Sequence, residues 1–600
     1  MKLAERPEWR KLLHYLPRPG WFGVKSLVDS PGFFNAPGGK SDPQAELEAT
    51  LASFFSTLEE TDKQQNPQCR YIARRAWLDE QLGFDRARLP LQECRRFRDW
   101  RGAMDPQGLT LVFPAGYLNN PGSMYGHTLL RVDGRGQDER TRLLAYTISF
   151  AAATDETNGL VFALRGLFGG YAGVFTMVPY YVKVREYSDM ENRDLWEYQL
   201  ALTQPEIERV LEHAWEMGPN WFEYYFFDEN CAYHLLALLQ VARPELDLVA
   251  PFRWWALPSD SLRAVTGQPG LIKQVIYRPA NGTIVHHRLQ DLAPQERELV
   301  RELGERHIGA SDPRLGSLPP ARAAATVETA YDLVNYRRAI GDSRAPEPEA
   351  LSRELLLARS SLDVPPQLPA IATPGTRPDE GHGTARLGIG VGQRASRDFV
   401  ELKARATYHD LMDDDRGYTR GSQIEYFSLS ARRLEGDTTR IEDFTPIEIR
   451  SVSPRDAFFS PWSWHVSAGW RREFLADGSE PLVGSLQGGM GGAWSAAGGR
   501  VLAYAMADGR ASQHHRLEDG YGIGLGGRSG VYFDATPRWR VHAFARGTNS
   551  VAGDHDTPRA AGLENRLTLA RNFALRLDFS RNREHGRLYN AAGLSLLWYL

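Results

Sequence analysis

The segment Phe226-Phe227-Asp228-Glu229-Asn230-Cys231-Ala232-Tyr233-His234-Leu235-Leu236 places a thiol in the first turn of a predicted helix. Cys231, Leu235, Leu238, Leu239 and Ala242 recur at helical spacing on one face, and Asp228 is the expected N-cap. Unpaired amides and the helix dipole at that end favour a thiolate, the form of sulfur that attacks carbonyl carbon. Asp228 and Glu229 oppose that charge. A cysteine sharing a stripe with leucines also fits a core position. Nucleophile and core filler are separated by whether a base lies nearby.

The run Tyr117-Leu118-Asn119-Asn120-Pro121-Gly122-Ser123-Met124-Tyr125-Gly126-His127-Thr128-Leu129-Leu130-Arg131-Val132 supplies a candidate. Asn120 to Ser123 is turn chemistry, and His127 to Asp133 is a predicted strand. A histidine entering a strand after a glycine can face a cleft, although a structural histidine fits the same pattern. Neutral His127 would take the Cys231 proton, and the sulfur would attack an ester carbonyl to give an acyl-thioester. The Cys231 N–H would help hold the oxyanion. The imidazole needs a polar partner to fix its tautomer. Thr147 and Ser149 lie on the next predicted strand, Leu143 to Ala152, and Ser149 is the expected third catalytic member. Tyr117, Asn120 and Asn230 are the expected substrate-binding residues.

From Tyr117 to Ala242 the sequence resembles the periplasmic catalytic domain of the Lnb family, the lipoprotein N-acyltransferases of type B. The resemblance is carried by Asn119 to Thr128, Gly166-Leu167-Phe168-Gly169-Gly170-Tyr171, Pro179 to Tyr187, Glu191 to Tyr198 and the Cys231 segment, in that order. More distantly it is similar to permuted papain-like acyltransferases, in which histidine precedes an Asn-Cys helix. The resemblance implies thiol acyl transfer on lipid or lipoprotein esters, with Cys231 as nucleophile and His127 as base. Related sequences carry asparagine where this chain has Ser149, a departure at the third position.

Six hundred residues are too many for one core and suggest three or four domains. With 42% hydrophobic and 24% charged residues the chain is expected to fold. A formal charge of −4 gives no reason to expect nucleic acid. No P-loop, Rossmann fingerprint or HExxH motif is present, and the His286-His287 and His514-His515 pairs lack companions at zinc spacing. No cofactor or metal is expected. Cys69 and Cys94 flank a predicted helix, Arg70 to Leu82, and are either a disulfide or two buried thiols.

The expected fold is α+β in four parts. Residues 1–105 form a helical region, with Gln44 to Thr61 as one amphipathic segment. Residues 106–270 form the permuted papain-like α+β catalytic domain. Residues 271–380 carry helices such as Gln295 to Arg306 and Ala321 to Ile340, then a Pro-rich connector. Residues 381–600 form an antiparallel β-barrel of about 12 strands.

A soluble β-sandwich or barrel uses the same alternation, but the aromatic-rich last strand resembles an outer-membrane sorting signal. In that strand Leu594, Leu596, Trp598 and Leu600 are expected to face lipid, with Ser595, Leu597 and Tyr599 inward. Leu160 to Tyr181 is apolar, but Arg165 and its glycines argue against a transmembrane helix. It is either a buried loop-and-strand region or a membrane-facing lip.

Met1 to Gly23 has no apolar h-region, so export is encoded upstream or does not occur. The resemblance and the C-terminal third favour export. The expected location is therefore the outer membrane, with the catalytic domain in the periplasm. The expected partners are a lipid or lipoprotein substrate and the membrane. The rivals are a peptidoglycan amidase or endopeptidase and a non-catalytic envelope scaffold.

Overall fold

The computed structural model describes residues 2–600 except 19–21, 62–63, 117–125, 139–140, 155, 157–160, 162–164, 167–168 and 253–254. It divides into two compact units, Met1–Thr373 and Pro374–Leu600. Helices and sheets are mixed in the first. The second is a closed antiparallel barrel of 12 strands.

A seven-stranded antiparallel sheet organises the first unit. Its order is Trp221–Glu223, Ala172–Pro179, Tyr146–Ala153, Leu129–Gly134, Pro106–Pro114, Leu195–Leu200 and Ile272–Arg278. Alternation divides the side chains of its central strands between two cores. Leu130, Val132, Ile148 and Phe150 pack with Leu235, Leu236, Leu238 and Leu239 of the helix Cys231–Leu239. Val112 and Leu129 face the other way, onto Tyr180, Tyr187 and Leu195. Every residue of the Cys231 helix is buried, so it is a central helix covered on all sides.

The N-terminal region is helical, with Pro43–Ser53 capped by Asp42 and Ile72–Leu82 ended by Gly83 in the left-handed conformation. It also holds a short hairpin, Tyr15–Pro17 with Val24–Ser26, that the helical reading did not anticipate. Arg74 is fully buried between Glu46 (3.0 Å) and Glu216 (3.2 Å), tying this region to the helix Gln204–Met217. Cys69 and Cys94 are bridged, with Cα atoms 5.0 Å apart. Trp215 Nε1 donates to the Cys69 carbonyl at 2.9 Å, so the bridge is also anchored to that helix. Helices Pro294–Gly304 and Pro320–Ala339 occupy the places expected beyond the sheet.

Among the described residues no helix is long and apolar enough to cross a membrane. Within the apolar Leu160 to Tyr181 stretch, Ala172–Pro179 is a sheet strand.

In the barrel, the last strand, Arg587–Tyr599, pairs with the first, Arg386–Arg394, and closes the ring. Its alternation follows the expected phase. Leu594, Leu596 and Trp598 are 47%, 42% and 46% exposed, whereas Ser595, Leu597 and Tyr599 are buried. The strand stops at Tyr599, so Leu600 lies just beyond it. Exposed Leu387, Ile389 and Val391 continue the apolar exterior on the first strand.

The interior is not an empty channel. The segment between strands Arg397–His409 and Ser422–Leu434 folds inward, and wall residues hold its aspartates. Arg386 Nη1 donates to Asp410 (2.6 Å) and Asp413 (3.0 Å), and Arg405 Nη1 to Asp413 (2.7 Å). Arg540 Nη1 donates to Asp415 at 2.8 Å. Leu411 and Met412 pack against Tyr504, Met506 and Tyr532.

Candidate functional site

Helix Cys231–Leu239 begins at the thiol residue itself. Asn230, not Asp228, is its N-cap. Asn230 Oδ1 accepts from the N–H groups of Ala232 (3.0 Å) and Tyr233 (3.2 Å). Its Nδ2 donates to the carbonyls of Phe226 (3.0 Å) and Ala256 (2.5 Å). Asp228 is a weaker competitor because its carboxylate turns to the Glu229 N–H instead. The cap places Cys231 at the first helical position, where backbone amides are unpaired. Asn230, expected to bind substrate, is occupied at all four of these contacts with the backbone.

Cys231 is unbridged and 3% exposed. The backbone amides of Thr128, Ala232 and Cys231 itself favour charge on its sulfur. Thr128 follows His127 directly, so the loop carrying the imidazole reaches the sulfur through its own backbone. Burial nonetheless dominates and pushes the thiol up to about 11.

His127 lies just before the strand Leu129–Gly134 rather than inside it. Its N–H donates to the Pro114 carbonyl. Gly126 makes that approach possible. It has φ +95°, and a Cβ there would sit 2.6 Å from the Phe113 ring. The imidazole lies 5.8 Å from the Tyr187 ring, centroid to centroid. Burial, with the charges of Arg193 and Lys183, holds it down to about 3. At neutral pH the thiol and the imidazole are therefore both uncharged.

Several residues of this site carried no assigned role in the sequence. Arg193 is buried, donating through Nη2 to the Pro114 carbonyl (2.9 Å), through Nε to Ala115 (2.5 Å) and through Nη1 to Glu191 (2.8 Å). Its guanidinium lies 4.9 Å from the Tyr187 ring centroid. Arg193 thus fixes the backbone that meets His127 and lowers the basicity of both the imidazole and the thiolate. Tyr224 is closer still to Cys231. Its hydroxyl lies against the backbone amide and the thiol of Cys231, and burial keeps it protonated. Arg193 sits in the Glu191 to Tyr198 motif already singled out, and Tyr224 just before the Cys231 segment. A buried arginine needing partners was the available signal.

Ser149 is buried on the strand Tyr146–Ala153, where its hydroxyl shares a 3.0 Å hydrogen bond with Thr176 Oγ1. Tyr117 and Asn120 lie outside the described residues. His234, one turn beyond Cys231, packs against Phe150 (4.3 Å) and Phe222 (4.1 Å) on the core side.

Among the described residues one buried group, His382, His409 and Asp413 in the barrel, has metal-ligand types. It does not suit a cation. Asp413 is held by Arg386 and Arg405 and accepts from the Tyr599 hydroxyl at 2.6 Å, while His382 Nε2 and His409 Nδ1 hydrogen-bond each other at 3.1 Å. Arginine already supplies the positive charge.

No curated protein matches the chain in sequence. Among solved structures it is similar to the NanC porin (11% identity, 36% of this chain and 100% of that chain, TM-score 0.24). OmpT, an outer membrane protein of Vibrio cholerae, matches at 8% identity over 37% and 98%, TM-score 0.19. Omp33 of Acinetobacter baumannii matches at 10% identity over 36% and 99%, TM-score 0.21. Residues 1–81, 275–371 and 375–599 match three domains of unknown function, DUF7843, DUF7842 and DUF7840. The stretch that holds both His127 and Cys231, residues 96–268, matches the Lnb N-terminal periplasmic domain.

Proposed function

We propose that this protein is an outer-membrane barrel carrying a periplasmic thiol acyltransferase, with Cys231 as nucleophile and His127 as base. The observation that carries the reading is the sulfur at the first residue of a buried helix, where backbone amides, including that of the residue after His127, favour its charged form. The closed barrel with its outward apolar rows supports the membrane. The Lnb domain match supports the periplasm.

As the sulfur attacks the ester carbonyl, its proton passes to His127. The Cys231 N–H and the Tyr224 O–H, both close to the sulfur, stabilise the oxyanion. Collapse breaks the C–O bond, His127 returns the proton to the leaving alkoxide, and a lyso product departs. An amine then attacks the thioester carbonyl, sulfur leaves, and His127 relays the amine proton to it. Burial of the sulfur favours transfer over hydrolysis, because water is kept from the thioester. The test is acyl release from a defined phospholipid or diacyl lipopeptide ester. Turnover by the wild-type chain and none by Cys231→Ser is expected. Cleavage of peptidoglycan peptide bonds, without ester turnover, would move the site to amidase chemistry. Neither activity in a folded protein would leave a scaffold.

A further inference from the structure

The barrel exterior carries a cationic patch that the chemistry at Cys231 does not use. Strands Arg559–Ala570 and Phe573–Glu584 pair so that Arg559 lies directly opposite Arg583. Arg559, Arg581 and Arg583 are exposed and share the outward phase of Leu563, Leu577 and Phe579. Like charges opposite one another across strands repel. Among the described residues no carboxylate pairs with any of the three. Arg559 donates to Asn549 Oδ1 at 3.4 Å. Interior arginines such as Arg386, Arg405 and Arg540 all meet aspartates, so the outer three stand apart.

Position narrows what would neutralise them. Arg559 and Arg583 flank the turns 554–558 and 585–586, at the barrel end away from the Arg386–Tyr599 pairing where its chain enters and leaves. Exposed apolar Leu563, Phe579 and Leu588 adjoin the arginines on the same surface. A cation set at the border of an apolar band lies at headgroup depth. Gly547, opposite Arg559, is bare; a Cβ there would come 3.0 Å from Arg559 Cγ, so the glycine leaves room for the arginine stem along the sheet.

We propose that Arg559, Arg581 and Arg583 bind the phosphate of an anionic lipid headgroup, whose acyl chains lie along Leu563, Phe579 and Leu588. Guanidinium forks suit phosphate oxygens, and one phosphate between Arg559 and Arg583 turns their repulsion into attraction. This inference rests on the reading of the barrel as membrane-spanning. The apolar rows select a lipid over soluble phosphate.

The full chain is reconstituted in phosphatidylcholine nanodiscs doped with phosphatidylglycerol, and retained lipid is read by native mass spectrometry. Wild type retains phosphatidylglycerol in preference to phosphatidylcholine. The double variant Arg559→Gln, Arg583→Gln loses that preference by roughly tenfold. Heat-modifiable migration shows that the variant barrel is folded. Arg433→Gln removes an exposed charge from the strand Ser422–Leu434 and leaves retention unchanged. Equal retention in the double variant, equal loss in Arg433→Gln, or full displacement by inorganic phosphate overturns the lipid site. Insertion without any headgroup preference also overturns it and leaves the membrane reading standing. Failure to enter nanodiscs overturns the membrane reading and this site with it.

Discussion

The backbone amide of Thr128 favours charge on the sulfur of Cys231, bringing the His127 loop to the start of the thiol helix. Two segments about one hundred residues apart in sequence meet there.

The charge state of the pair follows from its burial. Cys231 is pushed up to about 11 and His127 down to about 3, so neither is charged at neutral pH. Thiolate absorbance, with Cys231→Ser as the blank, should appear only as pH rises towards 11. For His127 the unfolded chain holds the proton more tightly, so stability falls as pH drops from 6.5 towards 3. For Cys231 it falls as pH rises from 9 towards 11, where the unfolded thiol ionises first. A full thiolate signal at pH 7 would mean an ion pair instead.

Gly126→Ala tests how His127 is placed. The new methyl meets the Phe113 ring and the left-handed φ adds strain, at a cost of about 1–3 kcal/mol. Thermal unfolding should report that loss. Labelling of Cys231 by an acyl-type probe should slow by more than the stability change accounts for, because the base moves. Wild-type kinetics in this variant would separate His127 from the reaction.

The Cys69–Cys94 bridge closes a loop 25 residues long in sequence separation. Opening it should cost about 2–4 kcal/mol, read as a lower denaturation midpoint in reductant. Without reductant, alkylation of the unfolded chain should add one label, at Cys231. Three labels in protein taken from the periplasmic side would contradict the bridge.

The inward segment after His409 makes a further expectation under the membrane reading. Arg386, Arg405 and Arg540 hold Asp410, Asp413 and Asp415 across the interior, so the wild-type chain should carry no steady ion current in planar bilayers. Replacing 411–416 with a Gly-Ser spacer should open a conducting state. A stable wild-type current would show that the segment does not seal the barrel.

The barrel was legible because alternation is a local signal. Leu594, Leu596 and Trp598 fall outward as their spacing demands, and twelve strands close the ring. Helix ends were less legible. Asp228 and Asn230 are both capping types, and Asn230 prevails because its amide also donates to Phe226 and Ala256, the latter 26 residues away. Cys231 and His127 were visible as types at motif positions. Arg193 and Tyr224 were not, since their roles depend on contacts with Pro114, Ala115 and the Cys231 backbone that no local pattern encodes.

The most direct test is covalent. The full chain is incubated with a diacyl phospholipid, quenched in acid and digested, and the peptide bearing Cys231 is weighed. The account predicts one acyl chain in thioester linkage on Cys231, released by hydroxylamine, absent in Cys231→Ser and strongly reduced in His127→Ala. Ester turnover that persists in folded Cys231→Ser, with no adduct on the wild-type thiol, would contradict it.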